Sequence, residues 1–489
     1  MANLPYSVEK WRQHVATDPL EGHDLPSLND SATAVSMAPS FCTGTGLDIL
    51  TNYICPDIET ADREVIFVTC FWATMSESRV RLCKALRTLS KEVVKKRAAA
   101  SNATTVENVK IYICLSSVSL LQKLRHTEST AGYVYDSTEW NQKLKLPPPE
   151  EIPGVDLTVK SIFIRPFSVM HPKFVIVDRK FVWVPSCNVS WESWYEGAFR
   201  LKGRSIVEKF HKFWTEVWNP EAELPHWAAS GGISTFPATT SVHLPPLTDP
   251  PAKSAVRLVK SFPDTPANRE LQTLFLPSSH HQDLAFRPGI SRLPRPAPRT
   301  PLNAFTKFLF ANAESEIYMI TPNLTAKPVM HALVQALERG VKVTTVTNTN
   351  LMVMEQLGTA GTTTARCLKS LMNSHKRVLW AWARAMKEID TTDAKKPGKL
   401  TVREWKVANP RRGNLGGESA FVKSHLKLTV VDETVVLFGS GNMDRASWYT
   451  SQEVGVALYS AEVVKEILHE VLMRDVEKHS RTIYESHEV

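Results

Sequence analysis

Apolar and polar positions along the 489-residue chain follow a pattern that occurs twice. In the first copy the apolar run Val65-Ile-Phe-Val-Thr-Cys70 is followed by RVRLCKALRTLSKEVVKK, with helical apolar spacing, and then by Val109-Lys-Ile-Tyr-Ile-Cys-Leu115. In the second, Glu316-Ile-Tyr-Met-Ile-Thr321 is followed by VMHALVQALERG and Val341-Lys-Val-Thr-Thr-Val-Thr347. Short β-branched runs flanking a helix-period segment predict strand, helix, strand, joined by a right-handed crossover onto a parallel sheet. Each copy then ends in two apolar runs about a short polar turn, KFVIVDRKFVWVPS and KLTVVDETVVLFGS. These read as β-hairpins, because β-branched and aromatic residues outnumber helix formers. The predicted fold is a duplicated α/β structure.

The pattern places an N-terminal extension at 1–44, a first half at 45–220, a second half at 253–475 and a C-terminal tail at 476–489. Between the halves, 221–252 mixes Pro, Gly, Ser and Thr without periodicity and reads as a linker. A second irregular stretch, 287–301, sets Arg287, Arg292, Arg295 and Arg299 among prolines, as either a solvated loop or a basic rim beside an anionic site. From Leu368 to Met386, apolar residues at 368, 371, 372, 378, 379, 382 and 386 make a helical stripe. Lys369, Lys376, Arg377, Arg384 and Lys387 lie off that stripe, so the segment is an amphipathic helix, packed on the core or laid on anionic lipid.

With 43% hydrophobic and 22% charged residues, the chain has the composition of a soluble globular protein rather than a disordered or collagen-like one. Its 58 Lys+Arg against 50 Asp+Glu leave +8, a mild excess compatible with phosphate-bearing ligands. The seven cysteines (42, 55, 70, 83, 114, 187 and 367) are scattered, with no C-x-x-C pair and no ligand-spaced histidine cluster. Neither a metal site nor a disulfide framework is expected, no cofactor is called for, and a reducing compartment fits best. The start, MANLPYSVEKWRQHVATDPLEGHDLP, has no apolar h-region and carries acidic residues. No apolar run approaches the roughly 20 residues that span a bilayer. The expectation is a cytoplasmic protein whose membrane contact, if any, is peripheral.

The hairpins hold the chemistry. His171-Pro-Lys173-Phe-Val-Ile-Val-Asp178 and His425-Leu-Lys427-Leu-Thr-Val-Val-Asp432 both read H-x-K-x-x-x-x-D, followed at equal distance by Pro185-Ser186-Cys187-Asn188 and Gly439-Ser440-Gly441-Asn442. On a strand, residues i and i+2 share a face roughly 6–7 Å apart, so each His and Lys would reach one phosphate. A hairpin folded symmetrically about its Asp would return Asn188 opposite His171 and Ser186 opposite Lys173, and likewise Asn442 opposite His425 and Ser440 opposite Lys427. Asp178 and Asp432 lie about 23 Å of strand away from their histidines, which makes a structural role at the turn the expected one. A nucleophilic imidazole needs its other nitrogen held, usually by a carboxylate. Ser193-Trp194-Tyr195-Glu196-Gly197 and Ser447-Trp448-Tyr449, with Glu453-Val-Gly455 following, offer Glu196 and Glu453. Trp194 and Trp448 read as core residues rather than ligand-stacking ones.

In these motifs the sequence resembles the phospholipase D superfamily, whose signature is a duplicated HKD motif followed by G-S-x-N. The likeness covers about 45–220 and 253–475, with Pro185 standing where the signature has glycine. The resemblance implies two similar phospholipase D-like α/β/α halves packed about a pseudo-twofold axis. It further implies a metal-independent phosphodiesterase or phosphatidyltransferase, with His171 as nucleophile and His425 as acid/base. Lys173, Lys427, Asn188 and Asn442 would surround the phosphoryl oxygens where charge accumulates.

A phospholipase or phosphatidyltransferase of cardiolipin synthase type is the first reading, with phospholipid as substrate and an anionic membrane surface as partner. A nucleic-acid phosphodiesterase of the same superfamily is the alternative, disfavoured by the near-balanced charge. An inactive scaffold would have lost a His or Lys of the motifs, and none is lost.

Overall fold

The computed structural model describes residues 4–20, 33–99, 106–118, 132–164, 168–218, 247–249, 257–261, 270–279, 296–388, 395–406 and 421–486. The stretch read as a linker, 221–252, lies outside the described residues except for 247–249, as do Arg287, Arg292 and Arg295. Arg299 is described and pairs with Asp18 at 2.5 Å. The chain divides into two compact units, Asp24–Phe275 with Gly416–Ser419, and Met1–His23 with Leu276–Leu415 and Ala420–Val489.

The first unit contains β1 (Thr33–Gly44), β2 (Glu64–Phe71), β3 (Val109–Ser117), β4 (Tyr133–Tyr135), β5 (Val155–Ser161), β6 (Phe174–Val177), β7 (Phe181–Pro185) and β8 (Trp194–Lys202). They pair in the order β4-β5-β3-β2-β6-β7-β8-β1. β2, β3 and β5 are parallel and the other neighbours antiparallel. All of β2 but Phe71 is buried, the state of a strand covered on both faces, which explains its run of apolar residues without alternation. Helix α1 (Glu77–Ala99) crosses from β2 to β3 and buries Leu82, Ala85, Leu86, Leu89 and Val93, one face of a 3.6-residue period. Helix α2 (Arg204–Val217) buries Phe210, whose ring meets Phe174 of β6 edge-on at 5.2 Å and so backs the hairpin. β1 lies in the stretch read as an extension, yet it pairs along β8, with Phe41 opposite Phe199 and Gly44 opposite Glu196.

The second unit contains α3 (Pro301–Ala311), β9 (Glu316–Ile320), α4 (Lys327–Glu338), β10 (Lys342–Thr347), α5 (Thr364–Glu388), β11 (Leu400–Trp405), β12 (Leu428–Val431), β13 (Val435–Gly439), α6 (Arg445–Tyr449), β14 (Glu453–Tyr459) and β15 (Ser480–Glu485). Its order, β15-β11-β10-β9-β12-β13-β14, repeats that of β4-β5-β3-β2-β6-β7-β8. The edge strands differ in origin: β4 falls between β3 and β5 in the chain, whereas β15 comes from the stretch read as a tail. The N-terminal helix Val8–Thr17 belongs to this unit, with Trp11 edge-on to Phe305 of α3 at 5.2 Å. In α5, Leu368 and Leu371 are buried and His375 is pinned between the Tyr484 hydroxyl (3.2 Å) and the Gly398 carbonyl (2.9 Å). Past His375 the packing thins: Val378, Leu379, Trp382 and Met386 are half-buried and Trp380 is 65% exposed.

Candidate active site

Each hairpin turns on an aspartate. Asp178 and Arg179 have φ of 50° and 54°, Asp432 and Glu433 of 49° and 48°, the pattern of a type I′ turn, which non-glycine residues adopt at a cost. The carboxylates offset it. Asp178 accepts the backbone N–H groups of Asp62 (3.0 Å), Arg63 (2.7 Å) and Glu64 (3.1 Å), and the Lys180 ammonium at 3.0 Å. Asp432 accepts those of Glu314 (2.9 Å), Ser315 (2.8 Å) and Glu316 (2.8 Å), with the Ser315 hydroxyl at 2.8 Å. Burial pushes the Asp432 carboxyl up, but these donors outweigh it and hold the group below the usual carboxylate range. Each aspartate thus ties its turn to the start of the first parallel strand, β2 or β9, at the far end of β6 or β12 from the histidine.

The hairpin register departs by one residue from a symmetric turn. Lys180 N–H donates to the Val177 carbonyl at 2.9 Å, and the ladder resumes with Val177 opposite Phe181. Thr434 and Val431 repeat the contact at 3.0 Å, with Val431 opposite Val435. The observed partners thus lie one residue earlier on the returning arm than the expected ones. Continued, the observed register sets Lys173 across from Pro185 and Lys427 across from Gly439, rather than from Ser186 and Ser440.

His171-Pro172-Lys173 and His425-Leu426-Lys427 precede β6 and β12 rather than lying within them, so strand geometry is not what joins His to Lys. A hydrogen bond does: Lys173 Nζ donates to the His171 carbonyl at 2.9 Å and Lys427 Nζ to the His425 carbonyl at 2.7 Å. Lys173 is 1% exposed, Lys427 4% and His425 5%, while His171 is half-buried. Among the described residues Lys173 forms no ion pair; its bond is to a neutral carbonyl.

Glu196 and Glu453 accept the hydroxyls of Ser186 and Ser440, the latter at 2.6 Å. The serine N–H groups bond the Gly197 and Val454 carbonyls (2.8 and 2.9 Å), and the Gly197 and Val454 N–H groups return to the serine oxygens, both at 3.0 Å. The two glutamates are therefore equivalent, although the second copy has three more residues between Asn and Glu (188 to 196 against 442 to 453), accommodated by α6. Trp194 and Trp448 are not equivalent: the first opens β8 and the second lies buried in α6. Pro185 stands where the second copy has Gly439, whose Cβ would lie 2.2 Å from the Val454 carbonyl oxygen. Pro185 pairs with Ala198 as Gly439 pairs with Gly455, and the serine contacts beyond it match in both copies.

Asn188 Oδ1 accepts the Phe71 N–H at 3.2 Å, whereas Asn442 Nδ2 donates to Asp444 at 3.1 Å. The residue after each asparagine bridges to the loop following the first parallel strand, Val189 to Trp72 and Met443 to Leu324. Two further residues hold the site and carry no motif. Ser116 Oγ accepts the N–H of Met170, and Asn348 binds both backbone groups of Ser424, the residues just before His171 and His425. Extending the aligned runs ending at Leu115 and Thr347 by one residue would have found them. Among the described residues no three His, Cys, Asp or Glu side chains cluster as a metal ligand set.

Residues 308–473, which hold the second hairpin, match the family described as "Cardiolipin synthase, PLD-like domain". Among solved structures, phosphatidylserine synthase of Haemophilus influenzae Rd KW20 aligns with a TM-score of 0.52 at 14% identity, covering 94% of this chain and 91% of that one. Nuc, a phospholipase D family member from Salmonella typhimurium, aligns with a TM-score of 0.27 at 17% identity over 44% of this chain and 99% of that one. No curated protein matches. Residues 308–473 of the second unit are thus similar to a phospholipase D-like domain, in a chain whose mixed α/β fold is shared with that phosphatidylserine synthase.

Proposed function

We propose that the protein is a phosphodiesterase of phospholipase D type, acting on phospholipids by hydrolysis or phosphatidyl transfer through a covalent phosphohistidine. The observation that carries this reading is Lys173. A buried ammonium whose hydrogen bond is to a neutral carbonyl is costly unless an anion joins it, and the residue supplying that carbonyl is a histidine able to attack phosphorus. His171 forms the N–P bond as the P–O bond to the alcohol breaks, and His425 delivers its proton to the departing oxygen. His425 then takes a proton from water or an acceptor alcohol, whose oxygen displaces His171 from phosphorus. Lys173, Lys427, Asn188 and Asn442 bind the phosphoryl oxygens, while Glu196 and Glu453 hold Ser186 and Ser440 and so keep the returning arms in place. Because the two histidines start in opposite protonation states, activity follows a bell-shaped pH profile.

A peripheral membrane contact fits α5. Among the described residues no helix is long and apolar enough to cross a bilayer. The thinly packed half of α5 instead exposes Trp380 beside Lys376, Arg377, Arg384 and Lys387, with the Arg384 guanidinium 5.7 Å from the Trp380 ring, a surface suited to anionic headgroups. Seven free cysteines accord with a cytoplasmic setting.

The test is incubation of wild type, His171→Ala and His425→Ala with a phospholipid panel and with single-stranded and duplex DNA, with and without glycerol, followed by mass spectrometry. Lipid turnover lost in both variants is expected. Turnover of DNA alone would establish the nuclease alternative, and near-normal activity in either variant would remove the two-histidine mechanism.

A further inference from the structure

We infer that Asn348 and Ser116 are positioning residues that fix the two histidines unequally, Asn348 setting His425 and Ser116 setting His171; this rests on the catalytic reading of those histidines. Residues 425–427 and 171–173 are irregular in backbone, so the ladder does not hold the histidines themselves. Each is anchored from behind by the residue preceding it. Asn348 Oδ1 accepts the Ser424 N–H at 3.1 Å, and its Nδ2 donates to the Ser424 carbonyl at 2.7 Å and to the Pro322 carbonyl at 3.1 Å. One fully buried side chain thus holds both backbone groups of Ser424 and ties the approach to His425 to the loop leaving β9. In the first unit the residue in the same place, Ser116, is also fully buried, but among the described residues its hydroxyl accepts only the Met170 N–H, at 3.0 Å.

The unequal anchoring suits unequal tasks. A general acid/base must meet first the leaving oxygen and then the incoming one, whereas the nucleophile is bonded to phosphorus between those steps. A displacement near 1 Å at a reacting group can cost on the order of 100-fold, so loosening Ser424 should impair the steps that use His425 and spare attack by His171. A leaving group that departs without protonation separates the two.

The experiment follows phosphatidyl-p-nitrophenol in wild type, Asn348→Ala, Asn348→Ser and Ser116→Ala, each checked for an intact fold by circular dichroism, with His425→Ala alongside. In Asn348→Ala, single-turnover release of nitrophenol should stay within about threefold of wild type, while steady-state turnover falls roughly 10- to 100-fold and covalent phosphatidyl label accumulates on His171. Asn348→Ser, which puts at this place the neutral hydroxyl acceptor that Ser116 offers Met170 N–H, should show the same split with a smaller loss, and it serves if Asn348→Ala does not fold. In Ser116→Ala the single-turnover rate itself should fall, without accumulation of label. Unchanged steady-state turnover in the Asn348 variants, or an equal fall in both rates, overturns the assignment. Steady-state activity in His425→Ala equal to wild type would instead remove the catalytic reading on which it rests.

Discussion

Replacing Asp432 with asparagine isolates what the aspartate of the motif contributes. Asparagine tolerates the positive φ of 49°, so the turn is preserved and only the acceptor changes. The best amide orientation leaves its oxygen where Oδ1 receives Ser315 N–H, Ser315 Oγ and Glu316 N–H, and puts an NH2 where Oδ2 received the Glu314 N–H. One donor is lost, at about 1–3 kcal/mol, and three bonds weaken from charge-assisted to neutral. Solvent reaches part of this cluster and recovers some of that, which leaves about 3 kcal/mol of destabilisation. For a unit of this size the melting temperature should fall by about 6–12 °C, while kcat of the folded protein stays within about twofold. The native carboxyl value lies below the ordinary 3.8. Its contribution is therefore complete above that value and is lost as pH falls through the depressed one, so wild-type and variant melting curves should converge only at the acid end. An unchanged melt with lost turnover would refute the reasoning, since Asp432 would then be acting on the reaction.

Label should be trapped on His171 in a slow His425 variant given a substrate with a good leaving group; label on His425 in a His171 variant, found by peptide mapping, would reverse the roles. Gly439→Ala should destabilise by more than about 2 kcal/mol, read by urea titration, because its Cβ meets the Val454 carbonyl oxygen at 2.2 Å; Pro185→Gly, at the equivalent place, should cost under about 1 kcal/mol, and equal losses would contradict the packing described. Exchanging Lys376, Arg377, Arg384 and Lys387 for Gln should weaken sedimentation with anionic vesicles, at about 1 kcal/mol per charge, while hydrolysis of a soluble short-chain substrate persists; unaltered vesicle binding would dismiss the lipid contact. Turnover should survive EDTA, since lysines and amides serve the phosphoryl oxygens; loss that one divalent ion reverses would mean the electrophilic groups lie elsewhere.

Much of the molecule is legible from local pattern. The duplicated strand-helix-strand runs, the two hairpins and the amphipathic helix all appear in the fold, because hydrophobic period and β-branched content act over a few residues. The twice-repeated His, Lys, Ser, Asn and Asp could be recognised from spacing alone. Three features were decided only by tertiary structure. The one-residue register shift depends on whether Phe181 and Val435 face Val177 and Val431 or the turn aspartates, which turn conformation settles and composition does not. The contact of Glu196 and Glu453 with Ser186 and Ser440 depends on how β7 and β13 pair with their neighbours, since that pairing brings each carboxylate to a serine hydroxyl. β1 and β15 come from stretches read as extension and tail, because a strand of modest hydrophobicity is defined by the partners it pairs with. Asn348 and Ser116 show the same limit: polar residues at the ends of apolar strands, they acquire meaning only where the sheet carries them beneath the residues preceding His425 and His171.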